Sequence, residues 1–226
     1  MARKPRVWYP GACYHIMCRG NHRHNIFRDN EDRQVYMYAL RQVMESKPFV
    51  LLSYCLMTNH IHLQIETREI APGPIMKMLN MRYALFFNKK YRFVGQLMQG
   101  RYRSEMIDSD RYQLEISRYI HLNPVKAGIV NHPAEYCWSS YTQYTGQEPN
   151  GLCQPEKVLR YFSEPRGKRY QDFVEEAVAS GMPPPETLPT SLLLDDEDEE
   201  ILSNNATGDF VTAGPGDHNL NQEQED

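Results

Sequence analysis

Residues 49–67 read FVLLSYCLMTNHIHLQIET, and this stretch decides the fold. Its first half, through Met57, is almost wholly apolar, the composition of a central strand flanked on both edges. Its second half alternates. Ile61, Leu63 and Ile65 are apolar, whereas His60, His62, Gln64 and Glu66 are polar. A strand has a period of two, so the first set faces a core and the second set shares the opposite face. Thr58-Asn59 supplies a short break between the halves, which therefore form a hairpin.

Residues 12–18 (ACYHIMC) read as another strand, closed by the turn residues Arg19-Gly20-Asn21. From Asn30, a good N-cap followed by Glu31 and Asp32, Val35, Ala39, Leu40, Val43 and Met44 recur at helical spacing until Pro48. Pro72-Gly73-Pro74 opens a second helix with the stripe Ile75, Leu79, Tyr83, Phe86 and Phe87. A fourth strand is expected over about 96–107. Asp110 with Gln113 resembles a capping box and starts a third helix running to about Leu122. The order β-α-β-β-α-β-α predicts an α+β fold: a ferredoxin-like four-stranded antiparallel sheet with two helices on one face, the other face being open to carry function. Short helices over 124–130 and 169–179, joined by a Tyr- and Trp-containing linker, should pack against this body. The expected division is a main domain over 1–146 with a basic N-terminal arm, a small helical extension over 147–182, and a disordered acidic tail over 183–226.

The formal net charge of the 226 residues is −4, which by itself weighs against a nucleic-acid partner. Residues 183–226, however, hold 12 Asp and Glu and no Lys or Arg. The first 182 residues thus keep 25 basic residues against 29 − 12 = 17 acids, a balance of +8. The chain is a basic body with an acidic tail. No apolar run approaches the roughly 18 residues of a membrane span, and the N-terminus lacks the apolar stretch of a signal peptide, so an intracellular protein is expected. Five cysteines without a CxxC pair fit a reducing compartment, with no disulfides and with Cys55 and Cys137 as small buried hydrophobes.

Three patterns bear on chemistry. His60 and His62 share a strand face, which suits a divalent cation held by two imidazoles; a half-exposed strand with ordinary polar residues fits the same pattern. His22-Arg23-His24 repeats the spacing in a loop and reads as solvent-facing or, at most, phosphate-contacting. Glu115, Tyr119 and Asn123 fall at i, i+4 and i+8 of the third helix, beside the apolar Ile116 and Ile120. Tyr119 thus stands at a boundary, where plain packing with a wet hydroxyl also accounts for it, and Asn123 before Pro124 also fits a helix end. Arg101 and Arg103 alternate onto one face of the fourth strand, and Arg3, Lys4 and Arg6 stand next to Trp8 and Tyr9. Cations interleaved with aromatics suit a single nucleic-acid strand, whose phosphates are neutralised and whose bases stack. A solvated charged face is the other reading, and the +8 body favours nucleic acid.

The segments YHIMCRGN, YCLMTNHIHL, GQLMQGRYRS and RYIHLNPVKAG, followed by YCWSSY, occur in that order. Together they resemble the HUH-type single-tyrosine transposases, and most closely the REP-associated tyrosine transposases of bacteria, over about residues 5–146. The resemblance implies the ferredoxin-like fold with a catalytic tyrosine helix. It implies Tyr119 as the nucleophile, and His60, His62 and the amide oxygen of Asn123 as ligands of Mg²⁺ or Mn²⁺. The implied reaction is cleavage and rejoining of single-stranded DNA through a 5′-phosphotyrosine, with Glu66 and Glu115 as available proton acceptors. The implied partner is an imperfect DNA hairpin contacted by Arg3, Lys4, Arg6, Arg101 and Arg103; a monomer is expected rather than a homodimer, at the nucleoid of a bacterial cytoplasm. A hairpin-binding protein that no longer cuts, and a hydrolytic metal-dependent nuclease, are the alternatives.

Overall fold

The computed structural model describes residues 7–147 and 151–180; the expected contacts Arg3, Lys4 and Arg6 and the acidic tail lie outside the described residues. The elements are β1 (Cys13–Arg19), α1 (Asn30–Ser46), β2 (Phe49–Leu56), β3 (His60–Thr67), α2 (Pro72–Tyr91), β4 (Arg103–Ile107) and α3 (Asp110–Lys126). Three further helices follow: α4 (Tyr141–Tyr144), α5 (Glu156–Leu159) and α6 (Arg166–Ala179). The strands form one antiparallel sheet in the order β2-β3-β1-β4, the ferredoxin-like arrangement expected from the sequence.

Strand alternation builds the core. Tyr14, Ile16 and Cys18 of β1 and Ile61, Leu63 and Ile65 of β3 pack with Leu40 and Val43 of α1 and with Ile75, Leu79, Tyr83 and Phe87 of α2. Each such side chain, fully buried, contributes about 1.5–3 kcal/mol, so this layer dominates stability. The first helix is capped one residue before the expected Asn30. Asp29 accepts from the Asp32 amide in a reciprocal capping box, and Lys90 at the end of α2 bonds Asp29 and Asp32 at 2.7 and 2.8 Å. The buried Asp32 carboxylate needs those partners, and they lock the two helices together.

Several expectations are corrected. The apolar β2 is an edge strand, not a central one. A bulge at Leu52, between the Leu51–Ile65 and Ser53–Gln64 pairs, reverses its parity. Leu51, Tyr54 and Leu56 therefore join the helix-side core, while Val50, Leu52 and Cys55 pack on the other side, which is why nearly every position is apolar. Its outer edge is covered by the returning chain: Leu56 N donates to Trp138 O at 2.9 Å, Ser140 N to Tyr54 O at 3.0 Å, and Gln154 N to Leu51 O at 2.9 Å.

The second sheet face is not open. α3 lies across it, with Ile116, Tyr119 and Ile120 packed against Cys55, Met57 and Ile107. Nor does the third helix stop near Leu122: it runs through Pro124 to Lys126, and no separate helix follows over 124–130. Proline removes one helical hydrogen bond, but burial of Ile120, Leu122, Asn123 and Pro124 between the sheet and the C-terminal helices outweighs that loss. The fourth strand is shorter than expected. Residues 97–99 still bond to β1 and the turn after it, with Gln99 N donating to Arg19 O at 2.8 Å, but Gly100 turns the chain away at φ +65°. Finally, the thiols are unpaired, and Cys137 is exposed whereas Cys55 is buried.

A buried polar relay holds α3 from behind. His121 Nδ1 lies 2.6 Å from Tyr170 Oη, and His121 Nε2 lies 2.7 Å from Ser140 Oγ. Tyr170 donates to Ser117 at 3.1 Å, and Ser140 Oγ accepts from the Tyr54 amide at 2.9 Å. One direction satisfies all members: Ser140 donates to His121, His121 to Tyr170, and Tyr170 to Ser117. Ser140→Ala leaves the Tyr54 amide and His121 Nε2 without that oxygen, and should cost about 1–3 kcal/mol in urea unfolding with an unchanged denaturant slope.

Candidate active site

Directly opposed residues of an antiparallel pair share a face, so the register fixes which side chains meet. Across β3, β1 and β4 one row holds His62, Met17 and Arg103, and the next holds Gln64, His15 and Glu105; His60 stands beside Arg19. All lie on the face that α3 covers. His60 and His62 are 1% and 0% exposed, so the half-exposed strand reading fails at these positions. His22 and His24, by contrast, sit exposed in the turn after β1.

α3 brings the tyrosine to the histidines. Ser109 caps this helix by accepting from the Tyr112 amide, and Ile116 and Ile120 anchor it. Tyr119 is buried, its ring edge-on to His62 with centroids 5.5 Å apart and to His15 at 5.9 Å. His60 and His62 are themselves perpendicular at 4.9 Å. One turn further on, Asn123 is buried, and its Nδ2 donates to Tyr119 O at 2.8 Å, so Oδ1 is the atom with which it could ligate a cation. Lys126 Nζ lies 5.0 Å from the centroid of the Tyr119 ring, a cation–π contact.

The two strand histidines each engage Nδ1 with a neighbouring side chain. His60 Nδ1 meets Asn59 Oδ1 at 2.6 Å, so that nitrogen carries the proton and Nε2 keeps its lone pair. His62 Nδ1 meets His15 Nε2 at 3.0 Å, and His62 Nε2 is buried with no hydrogen bond among the described residues. Among those residues no three His, Cys, Asp or Glu side chains are grouped to hold a metal ion. A cation here would therefore take the two imidazoles and an amide oxygen, and His60, His62 and Asn123 fit that donor set. Burial pushes His15 down to about 3 and holds His62 well below its ordinary value, with His60, His15 and Arg19 lowering His62 further. Neutral imidazoles are the form that ligates.

The two expected proton acceptors are engaged elsewhere. Glu66 is paired with Lys157 of α5 at 2.7 Å, and Glu115 with Arg118 one turn on in α3. Arg101 and Arg103 are exposed and line a cleft of about 240 Å³ with Met17, Arg19, Gln99 and Gly100. The turn at Gly100 shapes this cleft, and the register puts it on the histidine face. Arg19, His15 and Asn59 were not singled out from the sequence. The alternation of β1 does place His15, Met17 and Arg19 opposite the core-facing Tyr14, Ile16 and Cys18, but only the inter-strand register shows what they stand beside.

Residues 9–123 match the transposase IS200-like family, a span that takes in all four strands and ends on Asn123. A Haemophilus influenzae protein described as a REP-associated tyrosine transposase is 28% identical over 124 residues, 50% of this chain and 68% of that one. Among solved structures, a REP-associated tyrosine transposase bound to a REP hairpin shares the fold, with a TM-score of 0.56 at 17% identity over 69% of this chain and 90% of that one. A transposase from Deinococcus radiodurans aligns at a TM-score of 0.39 and 20% identity over 53% of this chain and 95% of that one, too low to bear on the fold. No helix among the described residues is long and apolar enough to cross a membrane.

Burial of neutral histidines sets a pH dependence. His15 and His121 fall from 6.5 to about 3, so between these values the unfolded chain binds more protons than the folded one. Stability should be full above about pH 6.5 and decline below it, each imidazole contributing up to about 1.4 kcal/mol per pH unit. Carboxylates held low, such as Asp29 at about 2, add to the loss only below about pH 4. Urea unfolding at pH 7, 6 and 5 checks this, since a flat profile is incompatible with neutral burial.

Proposed function

This chain belongs to the IS200-like transposase family and is accordingly a DNA-cleaving enzyme, and from that premise we propose that it cuts and rejoins single-stranded DNA through a 5′-phosphotyrosine on Tyr119. The observation that carries this reading is the contact of the Tyr119 ring with His62, one helical turn before Asn123. Nucleophile and ligand set come from one chain, so a monomer suffices. Mg²⁺ or Mn²⁺ held by His60, His62 and Asn123 would supply positive charge that polarises the scissile phosphate.

The residues of the chain do the rest. Tyr119 is clamped between the sheet and the helix backbone, which fixes the line along which its hydroxyl meets phosphorus. Its oxygen bonds to phosphorus as the bond to the 3′ oxygen breaks; the phenolic proton is lost to solvent, and the departing oxygen takes one up. No water is consumed. The phosphodiester energy is kept in the phosphotyrosine, and a 3′-OH can reverse the step to join strands. Lys126 adds positive charge beside the nucleophile. The cleft with Arg19, Arg101 and Arg103 continues the same face and suits the backbone of the strand being cut, with an imperfect hairpin as the substrate.

Incubation with a single-stranded hairpin DNA and Mn²⁺, followed by a denaturing gel, tests this. A covalent protein–DNA band is expected; free 5′-phosphate ends instead would mean hydrolysis, and neither would mean binding alone. Tyr119→Phe should lose the adduct completely. His60→Ala should abolish cleavage yet keep most of the DNA affinity, which phosphate contacts dominate. Arg101→Ala and Arg103→Ala should each weaken binding regardless of sequence and reduce the salt slope of log affinity by about 1, measured by fluorescence anisotropy over a salt series.

A further inference from the structure

His15 is completely buried and contributes nothing to the reaction outlined above, yet it touches both of that reaction's central side chains: its Nε2 lies 3.0 Å from His62 Nδ1, and its ring meets Tyr119. It lies on β1 diagonal to His62, since Met17 is the residue directly opposite. The diagonal spacing is what lets two imidazoles meet edge to edge. The ring centroids are 5.2 Å apart and the ring planes 20° from parallel, which suits an in-plane nitrogen-to-nitrogen contact.

A hydrogen bond between two neutral imidazoles has one proton and two directions. If His15 donates, His62 Nδ1 is the acceptor, so the single N–H of the His62 ring sits on Nε2, which then cannot ligate. If His62 donates from Nδ1, its Nε2 presents a lone pair. The neighbouring histidine shows the second pattern with a different partner: His60 Nδ1 meets the side-chain amide oxygen Oδ1 of Asn59, an atom that can only accept. Both strand histidines thus use Nδ1 inside the protein and leave Nε2 for the site. His15 is not a third ligand, because its Nε2 is engaged with His62 and no three-histidine metal group exists among the described residues.

We propose that His15 is a positioning residue: its Nε2 accepts the Nδ1 proton of His62 and so fixes the His62 tautomer that offers Nε2 to a divalent cation. The role rests on the reading of His60 and His62 as ligands, and it acts through His62 rather than on the substrate. It explains a histidine in a layer where an apolar side chain would avoid the cost of burying an imidazole whose Nδ1 has no hydrogen bond.

The test is Mn²⁺ titration by calorimetry on the full chain without DNA, with thermal melts run in parallel. His15→Phe keeps a planar ring but removes the acceptor, and should weaken Mn²⁺ binding about 10- to 100-fold in a protein that still melts cooperatively. His15→Gln places an amide oxygen near the position of Nε2 and should recover most of the wild-type affinity. A folded His15→Phe that binds Mn²⁺ as the wild type does overturns the proposal, as does a His15→Gln as weak as His15→Phe. Should His15→Phe not fold, long-range ¹⁵N correlation spectra of the wild-type chain with Mg²⁺ decide: a protonated His62 Nδ1 facing an unprotonated His15 Nε2 is expected, and the reverse overturns it. Absence of Mn²⁺ binding by the wild-type chain would instead remove the cation from the proposed function, and this inference with it.

Discussion

The register between β1 and β3 is the constraint on which the rest depends. Met17 opposite His62 and Arg19 opposite His60 put both histidines on the face away from α1 and α2. A slip of one residue in the strand would drive both imidazoles into the apolar layer and expose Ile61, Leu63 and Ile65. The apolar set is completely or almost completely buried, so the cost of that slip is several side chains' worth of hydrophobic stabilisation. The chemistry is thus held in place by residues that take no part in it.

The second face owes its character to α3. A sheet face of histidine, glutamine and serine would ordinarily be wet, but here Gln64 donates to Gln113 O and accepts from Ser53, so the polarity of that side chain is satisfied inside the protein. The helix is in turn held by the His121 relay to the C-terminal segment. Tyr119 and Asn123 therefore sit on a helix buried on both sides, which suits a nucleophile that must meet phosphorus along one line.

Much of this was legible in the sequence. The alternation of His60 to Glu66 is a strong period-two signal, and β3 runs over the expected residues. The helix over Pro72–Tyr91 announced its start through Pro72, whereas the helix over Asp110–Lys126 is capped by Ser109, one residue before the Asp110 cap read from the sequence. What could not be read was tertiary. The apolar run of β2 suggested a central strand because burial from both sides looks the same whether neighbours are strands or helices. The passage of α3 through Pro124 was hidden because its compensation comes from α6 and β2, far away in sequence. His15 and Arg19 escaped for the same reason: β1 alone shows which face they take, not what lies across the ladder.

The central claim is that Tyr119 forms the covalent bond to DNA. Mass spectrometry of the trapped adduct tests it most directly, because trypsin cuts after Arg118 and Lys126 and so isolates a peptide whose single tyrosine is Tyr119. The account predicts that, after nuclease digestion, a nucleotide is found on that tyrosine. A nucleotide on any other residue, or cleaved DNA with an unmodified 119–126 peptide throughout, would contradict it.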